Sequence, residues 1–179
     1  ENIFGKFFFH LGPKRDSSLF NGFEKNKKDL DLADFILCTG FLENKESSLE
    51  YYKLLLKNYI HLKMVCTNPD LVVDRGQKQE YCAGTLAKIF EELGGEVIYF
   101  GKPYPNIYNF CIQKNEKVLA IGDNIRTDIK GANNMKFDSL FIINGIHKRE
   151  FLNKQSENYD SILSSYGVRT TYYQERLTW

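Results

Sequence analysis

Apolar runs closed by turn residues recur along the chain: KFFFHLG (6–12), DFILCTG (34–40), LKMVCTN (62–68), EVIYFGK (96–102), KVLAIGD (117–123) and SLFIING (139–145). Consecutive residues in each run are apolar, so both faces are buried, which predicts strands of parallel sheets. Between them, helical spacing predicts helices over Ser47–Tyr59, Thr85–Leu93 closed by Gly94-Gly95, Asn106–Gln113 behind Pro105, and Asp128–Asn134. Strand alternating with helix is the signature of βαβ units. Two polar stretches read as loops, Asn21–Asp29 and Pro69–Tyr81. The second is long for a connection inside a compact fold, which makes it either substrate-facing or disordered.

Composition narrows the classes. With 179 residues, 42% hydrophobic and 15% aromatic, the chain has enough apolar material for one large core or two small ones. Lys and Arg (24) nearly balance Asp and Glu (23), for a net charge of +1. No global field therefore favours nucleic acid or an anionic membrane. The four cysteines, Cys38, Cys66, Cys82 and Cys111, form no C-x-x-C and sit mostly in or beside apolar runs, as reduced core thiols do. That points to a reducing, cytoplasmic-type compartment. The apolar runs are far shorter than the roughly 18 residues of a membrane span, and the start does not resemble a signal peptide.

In open α/β sheets ligands gather beyond the carboxyl ends of the strands. After VLAI come Gly122-Asp123, and Asp128 opens the next predicted helix. One reading is local: Thr127 or Asp128 caps the helix and Asp123 starts a turn. The other aims the Asp123 carboxylate at a hard cation such as Mg²⁺, with Asp128 holding a water on that cation or a neighbouring lysine. After VIYF comes GKPYP, whose glycine and two prolines would hold the Lys102 ammonium at the sheet edge, where it could neutralise a phosphoryl group. After KMVC comes TNPD, an ordinary turn by itself.

The ordered series CTNPD, AGTL, GKPYPNIY and GDNIRTDIKGA resembles the haloacid dehalogenase (HAD) superfamily of phosphohydrolases, in its class IIA branch of NagD-like and 4-nitrophenylphosphatase-like proteins. The resemblance runs from about Lys6 to Ile146. It implies an α/β fold: a three-layer Rossmann-like core, here incomplete, with an α/β cap domain of the class IIA type. It also implies that Lys102 is the phosphate-stabilising lysine, Asp123 a Mg²⁺ ligand and Asp128 the accompanying catalytic acid. Thr67, Asn68 and Asp70 would belong to the mobile cap that selects substrate. A receiver-like phosphoacceptor fold has its lysine after the acids, whereas Lys102 precedes Asp123, and there is no GxxxxGK[ST] loop.

HAD chemistry also needs a D-x-D element on a first strand: a nucleophilic aspartate and, two residues on, an acid that protonates the leaving oxygen. Asp29-Leu30-Asp31 follows a charged run rather than an apolar strand and fits poorly. The expectation is therefore a cap over residues 1–95 and the C-terminal part of the core over 96–179, with the nucleophile upstream of Glu1. The parent protein would hydrolyse a small phosphomonoester with Mg²⁺ through an aspartyl-phosphate, and this segment alone would be inactive. A non-catalytic regulatory protein and a phosphotransferase or phosphomutase remain open. Caps of this class often dimerise, so a homodimer through the cap is a further expectation. Trp179 is expected to anchor the tail on the core.

Overall fold

The computed structural model describes residues 4–45, 48–76, 78–113, 116–152 and 159–178. The predicted helix start at Ser47, and Trp179, lie outside them. The chain divides into two compact units, Glu1–Phe100 and Gly101–Trp179.

The first unit is built on a parallel sheet in the order β1 (Phe8–Leu11), β2 (Phe35–Cys38), β3 (Lys63–Cys66), β6 (Glu96–Tyr99). Register is strict, with Phe8 opposite Phe35, Phe35 opposite Lys63 and Lys63 opposite Glu96. That last pair also carries a 3.0 Å ion pair at the sheet's amino end. Helices α1 (Leu49–Leu56) and α2 (Ala83–Glu92) pack on each other, and α2 packs on β2, β3 and β6. Tyr52 and Leu56 of α1 recur at helical spacing, as do Leu86, Ala87 and Phe90 of α2, and all five are fully buried with Leu11, Ile36 and Met64. Because β6 pairs with β3, the division falls at 100/101 rather than at 95/96.

The Pro69–Tyr81 stretch is not a loop throughout: Val72–Arg75 (β4) and Lys78–Tyr81 (β5) form an antiparallel hairpin. It has almost no buried face, so apolar alternation could not reveal it. Cross-strand polar pairs hold it instead, Arg75 with Glu80 at 3.1 Å and Gln79 with Asp74 at 3.3 Å.

The second unit has a parallel sheet of β7 (Leu119–Gly122), β8 (Asp138–Ile142) and β9 (Tyr172–Gln174). Its helices are α3 (Pro105–Cys111), α4 (Lys130–Met135), α5 (Lys148–Phe151) and α6 (Tyr159–Ser165). Ile125, Ile129, Phe141, Ile143, Phe151, Leu163 and Val168 form its core. The tail thus joins the fold through Leu163, Val168 and a third strand. Helix formation near residue 128 begins earlier than predicted, with a π-helical turn over Ile125–Ile129 that runs into α4.

All four thiols are free. Cys38 and Cys66 are buried and face each other across β2 and β3, and their hydrogen bond, with burial, pushes the Cys38 thiol well above its ordinary range. Cys111 departs from the core-thiol expectation: it ends α3 in solvent. Among the described residues no helix is long and apolar enough to cross a membrane.

Candidate functional site

The chemistry-bearing residues of the second unit meet just past the end of β7. Gly122 closes the strand, and the Asn124 side chain caps the π-helical turn by accepting from the Arg126 amide at 3.0 Å. Neither Thr127 nor Asp128 is the cap. The Asp128 and Ile129 amides both reach the Asn124 carbonyl, at 2.9 and 3.2 Å. This wide turn brings Asp128 back against the strand end, where its Oδ2 accepts from the Asp123 and Asn124 amides at 3.1 Å each. Its Oδ1 takes the Lys102 ammonium. Asp128 is 8% exposed, whereas the Lys102 side chain is 48% exposed. The acid is thus an internal brace, and the lysine is a cation whose other side faces solvent.

The backbone around Lys102 is fixed by its neighbours. The Tyr104 amide donates to Gly101 O at 2.9 Å, Asn134 Nδ2 donates to Pro103 O at 3.0 Å, and Pro105 opens α3. Asp123 accepts the Ile146 amide on Oδ2 at 3.1 Å. Both acids need a neighbouring glycine: a Cβ on Gly122 would come within 2.2 Å of the Asp128 carboxyl, and one on Gly145 within 2.1 Å of Asp123 Oδ2. The two glycines of the INGI and IGD segments are thereby explained by close approach.

The hydroxyls of Tyr108 and Thr127 are buried without a hydrogen-bond partner among the described residues. Burial raises the Tyr108 phenol above its ordinary value, and the charges of Lys102 and Asp128 act on it in opposite senses.

Thr67, Asn68 and Asp70 lie in the first unit, at the carboxyl end of β3. The Thr67 hydroxyl donates to Cys38 O at 3.3 Å, and Asn68 Oδ1 accepts the Asp70 amide at 3.1 Å. The AGTL segment answers them: Gly84 N donates to Asp70 O at 3.1 Å and the Thr85 hydroxyl to Leu71 O at 2.6 Å. TNPD and AGTL are thus joined by a backbone bond from Gly84 to Asp70 and by the Thr85 hydroxyl on the residue that follows TNPD. Asn68 also lines a cavity of about 550 Å³, with Arg15, Thr39, Arg75 and Tyr81, at the carboxyl ends of the strands. Asp31 of the D-x-D candidate accepts the Tyr59 hydroxyl, and Asp29 precedes a 3₁₀ turn, so both serve local structure.

For Mg²⁺, the donor chemistry fits only in part. Asp123 presents hard oxygen, but both oxygens of Asp128 are engaged, and no group of three His, Cys, Asp or Glu side chains gathers among the described residues. This chain can contribute one carboxylate to a larger oxygen set.

A parallel α/β fold in which a lysine is paired with a buried aspartate, next to a second aspartate that follows a strand, resembles the arrangement of HAD-type proteins. The chain is similar to the haloacid dehalogenase superfamily, in its NagD-like class IIA branch. The HAD-hydrolase-like family model matches residues 99–167. Ribonucleotide monophosphatase NagD of Escherichia coli K12 is 28% identical over 89 residues, 47% of this chain, and the chain spans only 34% of that relative's length. A haloacid dehalogenase-like hydrolase from Brucella suis 1330 has a TM-score of 0.74 at 32% identity, covering 79% of this chain and 59% of that one. The p-nitrophenyl phosphatase of Archaeoglobus fulgidus shares the fold, with a TM-score of 0.68 at 17% identity over 94% of this chain and 63% of its own.

Proposed function

We propose that this chain carries the cap and the lysine-and-metal half of a Mg²⁺-dependent phosphomonoester hydrolase. The observation that carries the reading is the Lys102–Asp128–Asp123 arrangement: a half-exposed ammonium braced by a buried acid that also fixes the backbone of a second acid.

In this reading Lys102 offsets charge on the phosphoryl oxygens, Asp128 holds Lys102 and the Asp123 loop, and Asp123 is the protein's carboxylate for the cation. Mg²⁺, when bound, would supply a fixed positive charge beside the phosphoryl group. The first unit acts as the cap, with Thr67, Asn68 and Asp70 shaping the loop that faces a small phosphorylated metabolite in a cytoplasmic-type compartment. The nucleophile and general acid are assigned to a D-x-D pair that these residues do not supply. Its carboxylate oxygen would bond to phosphorus as the ester P–O bond breaks, with the proton passing from the second acid to the leaving oxygen. Water would then attack phosphorus, releasing phosphate and restoring the carboxylate.

An incomplete core is supported by β7, which has one paired neighbour among the described strands. Its Leu119 and Ile121 are 47% and 40% exposed, and Phe110 of α3 is 88% exposed. Parallel strands are ordinarily buried on both faces.

The test is phosphate release from 4-nitrophenyl phosphate and a panel of metabolite phosphates with Mg²⁺. It compares this chain with a protein that joins it to a D-x-D strand. Turnover is expected in the second alone, and should be lost in its Lys102→Ala variant. Enzyme-like turnover by this chain itself, abolished by Asp29→Asn or Asp31→Asn, would overturn the assignment.

A further inference from the structure

Four side chains to which the sequence reading gave no role meet in the second unit. Glu150 lies 2.7 Å from His147 Nδ1 through one oxygen and accepts the Tyr166 hydroxyl at 2.6 Å through the other. His147 is buried and packs edge-on against the Tyr166 ring, centroids 5.5 Å apart. The Arg126 guanidinium stands 4.9 Å from the centroid of the same Tyr166 ring. Burial works to raise the Glu150 carboxyl, but the bonds from Tyr166 and His147 and the nearby Arg126 charge outweigh it and hold it below its ordinary value. Glu150 is the ionised hub of the group.

A local explanation covers only part of this. His147 precedes α5 and Glu150 lies three residues on, a spacing familiar from helix starts. Tyr166 and Arg126 come from elsewhere: one follows α6, and the other sits in the π-helical turn. The network therefore ties three separate stretches of chain. Two of them touch Asp123. The Ile146 amide, one residue before His147, donates to Asp123 Oδ2, and Gly145 lies in contact with the same carboxylate. Arg126 belongs to the turn that starts from Asp123-Asn124.

We propose that His147, Glu150, Tyr166 and Arg126 form a positioning network that fixes the Ile146 amide on Asp123 Oδ2 and leaves Asp123 Oδ1 to take the cation. This rests on Asp123 being the cation ligand. Groups that orient a metal ligand through hydrogen bonds typically change metal affinity by about 10–100-fold when removed.

The experiment uses this chain and its Glu150→Ala and Tyr166→Phe variants, with Ser165→Ala, at the residue before Tyr166, as control. Two quantities are read by NMR: hydrogen exchange at the Ile146 amide relative to the Ile143 amide, which is bonded to Gln174 O, and Mg²⁺-dependent shifts of the Asp123 and Ile146 amides. In Glu150→Ala, Ile146 exchange and the Mg²⁺ midpoint should each rise about 10-fold, with Ile143 unchanged. Tyr166→Phe keeps the ring under Arg126 and should move both in the same direction by less, which serves if the alanine variant does not fold. Ser165→Ala should move neither. Parallel changes at Ile146 and Ile143, or none, would overturn the network's role. If the unaltered chain shows no Mg²⁺-dependent shifts, the cation role of Asp123 falls and that half of the proposal with it; Ile146 exchange decides the other half.

Discussion

Asp128 offers the sharpest test, because its two oxygens do different work. Oδ2 accepts two backbone amides in a buried setting, while Oδ1 meets a lysine that is half in solvent. Hydrogen bonds to a charged acceptor contribute about 1.5–3 kcal/mol each, so the two amide bonds together outweigh the ion pair. An ion pair with one exposed partner contributes only about 0–1 kcal/mol. Allowing for the relief of desolvation on removing the acid, Asp128→Ala should cost roughly 3 kcal/mol. That is a large share of the stability of a unit this size, at roughly 0.05–0.15 kcal/mol per residue. Asp128→Asn can keep its oxygen on both amides and should cost about 1 kcal/mol, since the bonds survive with a neutral acceptor and Lys102 can swing into solvent. Lys102→Ala should cost least, under about 1 kcal/mol. Urea unfolding of this chain, followed by circular dichroism, gives the three values. If Lys102→Ala proves as damaging as Asp128→Ala, the ion pair holds the turn, and the reasoning from the amide bonds is wrong.

Four further outcomes follow from the same geometry. In a protein with a complete site, Lys102→Ala should lower turnover about 100-fold or more, read from steady-state kinetics, while its melting temperature barely moves. Gly145→Ala should cost about 1–3 kcal/mol by forcing its Cβ into Asp123, and Mg²⁺-dependent NMR shifts at Asp123 should weaken with it. Thr127→Val and Tyr108→Phe remove buried hydroxyls without partners, so each should leave stability unchanged or raise it by up to about 1 kcal/mol in urea melts. The depressed Glu150 carboxyl contributes stability that is fully present above its ordinary pKa of 4.5 and lost as pH falls through its lower folded value. Acid unfolding of Glu150→Gln should accordingly show a shallower pH dependence below about 4.5 than the unaltered chain.

The parallel strands were legible in the order of residues, as were Lys102 and Asp123 as charged residues that follow apolar runs. Apolar runs and the turn residues that close them are short-range signals, carried by neighbouring positions alone. The same order marked TNPD and AGTL as belonging together, although the hydrogen bonds that join them, from Gly84 to Asp70 and from Thr85 to Leu71, are visible only in three dimensions. The features that emerged with folding share a cause, which is that nearest neighbours carry no trace of them. The β4–β5 hairpin buries no apolar face, so no periodicity announces it, and β9 is recognisable only beside β8. The cap at Asn124 and the division of labour between the Asp128 oxygens depend on a π-helical turn, whose extra residue leaves no compositional mark. His147, Glu150, Tyr166 and Arg126 come from three stretches of sequence, and each alone reads as an ordinary polar residue. Folding turns them into one network by bringing those stretches together, where shared hydrogen bonds and ring contacts make their positions interdependent.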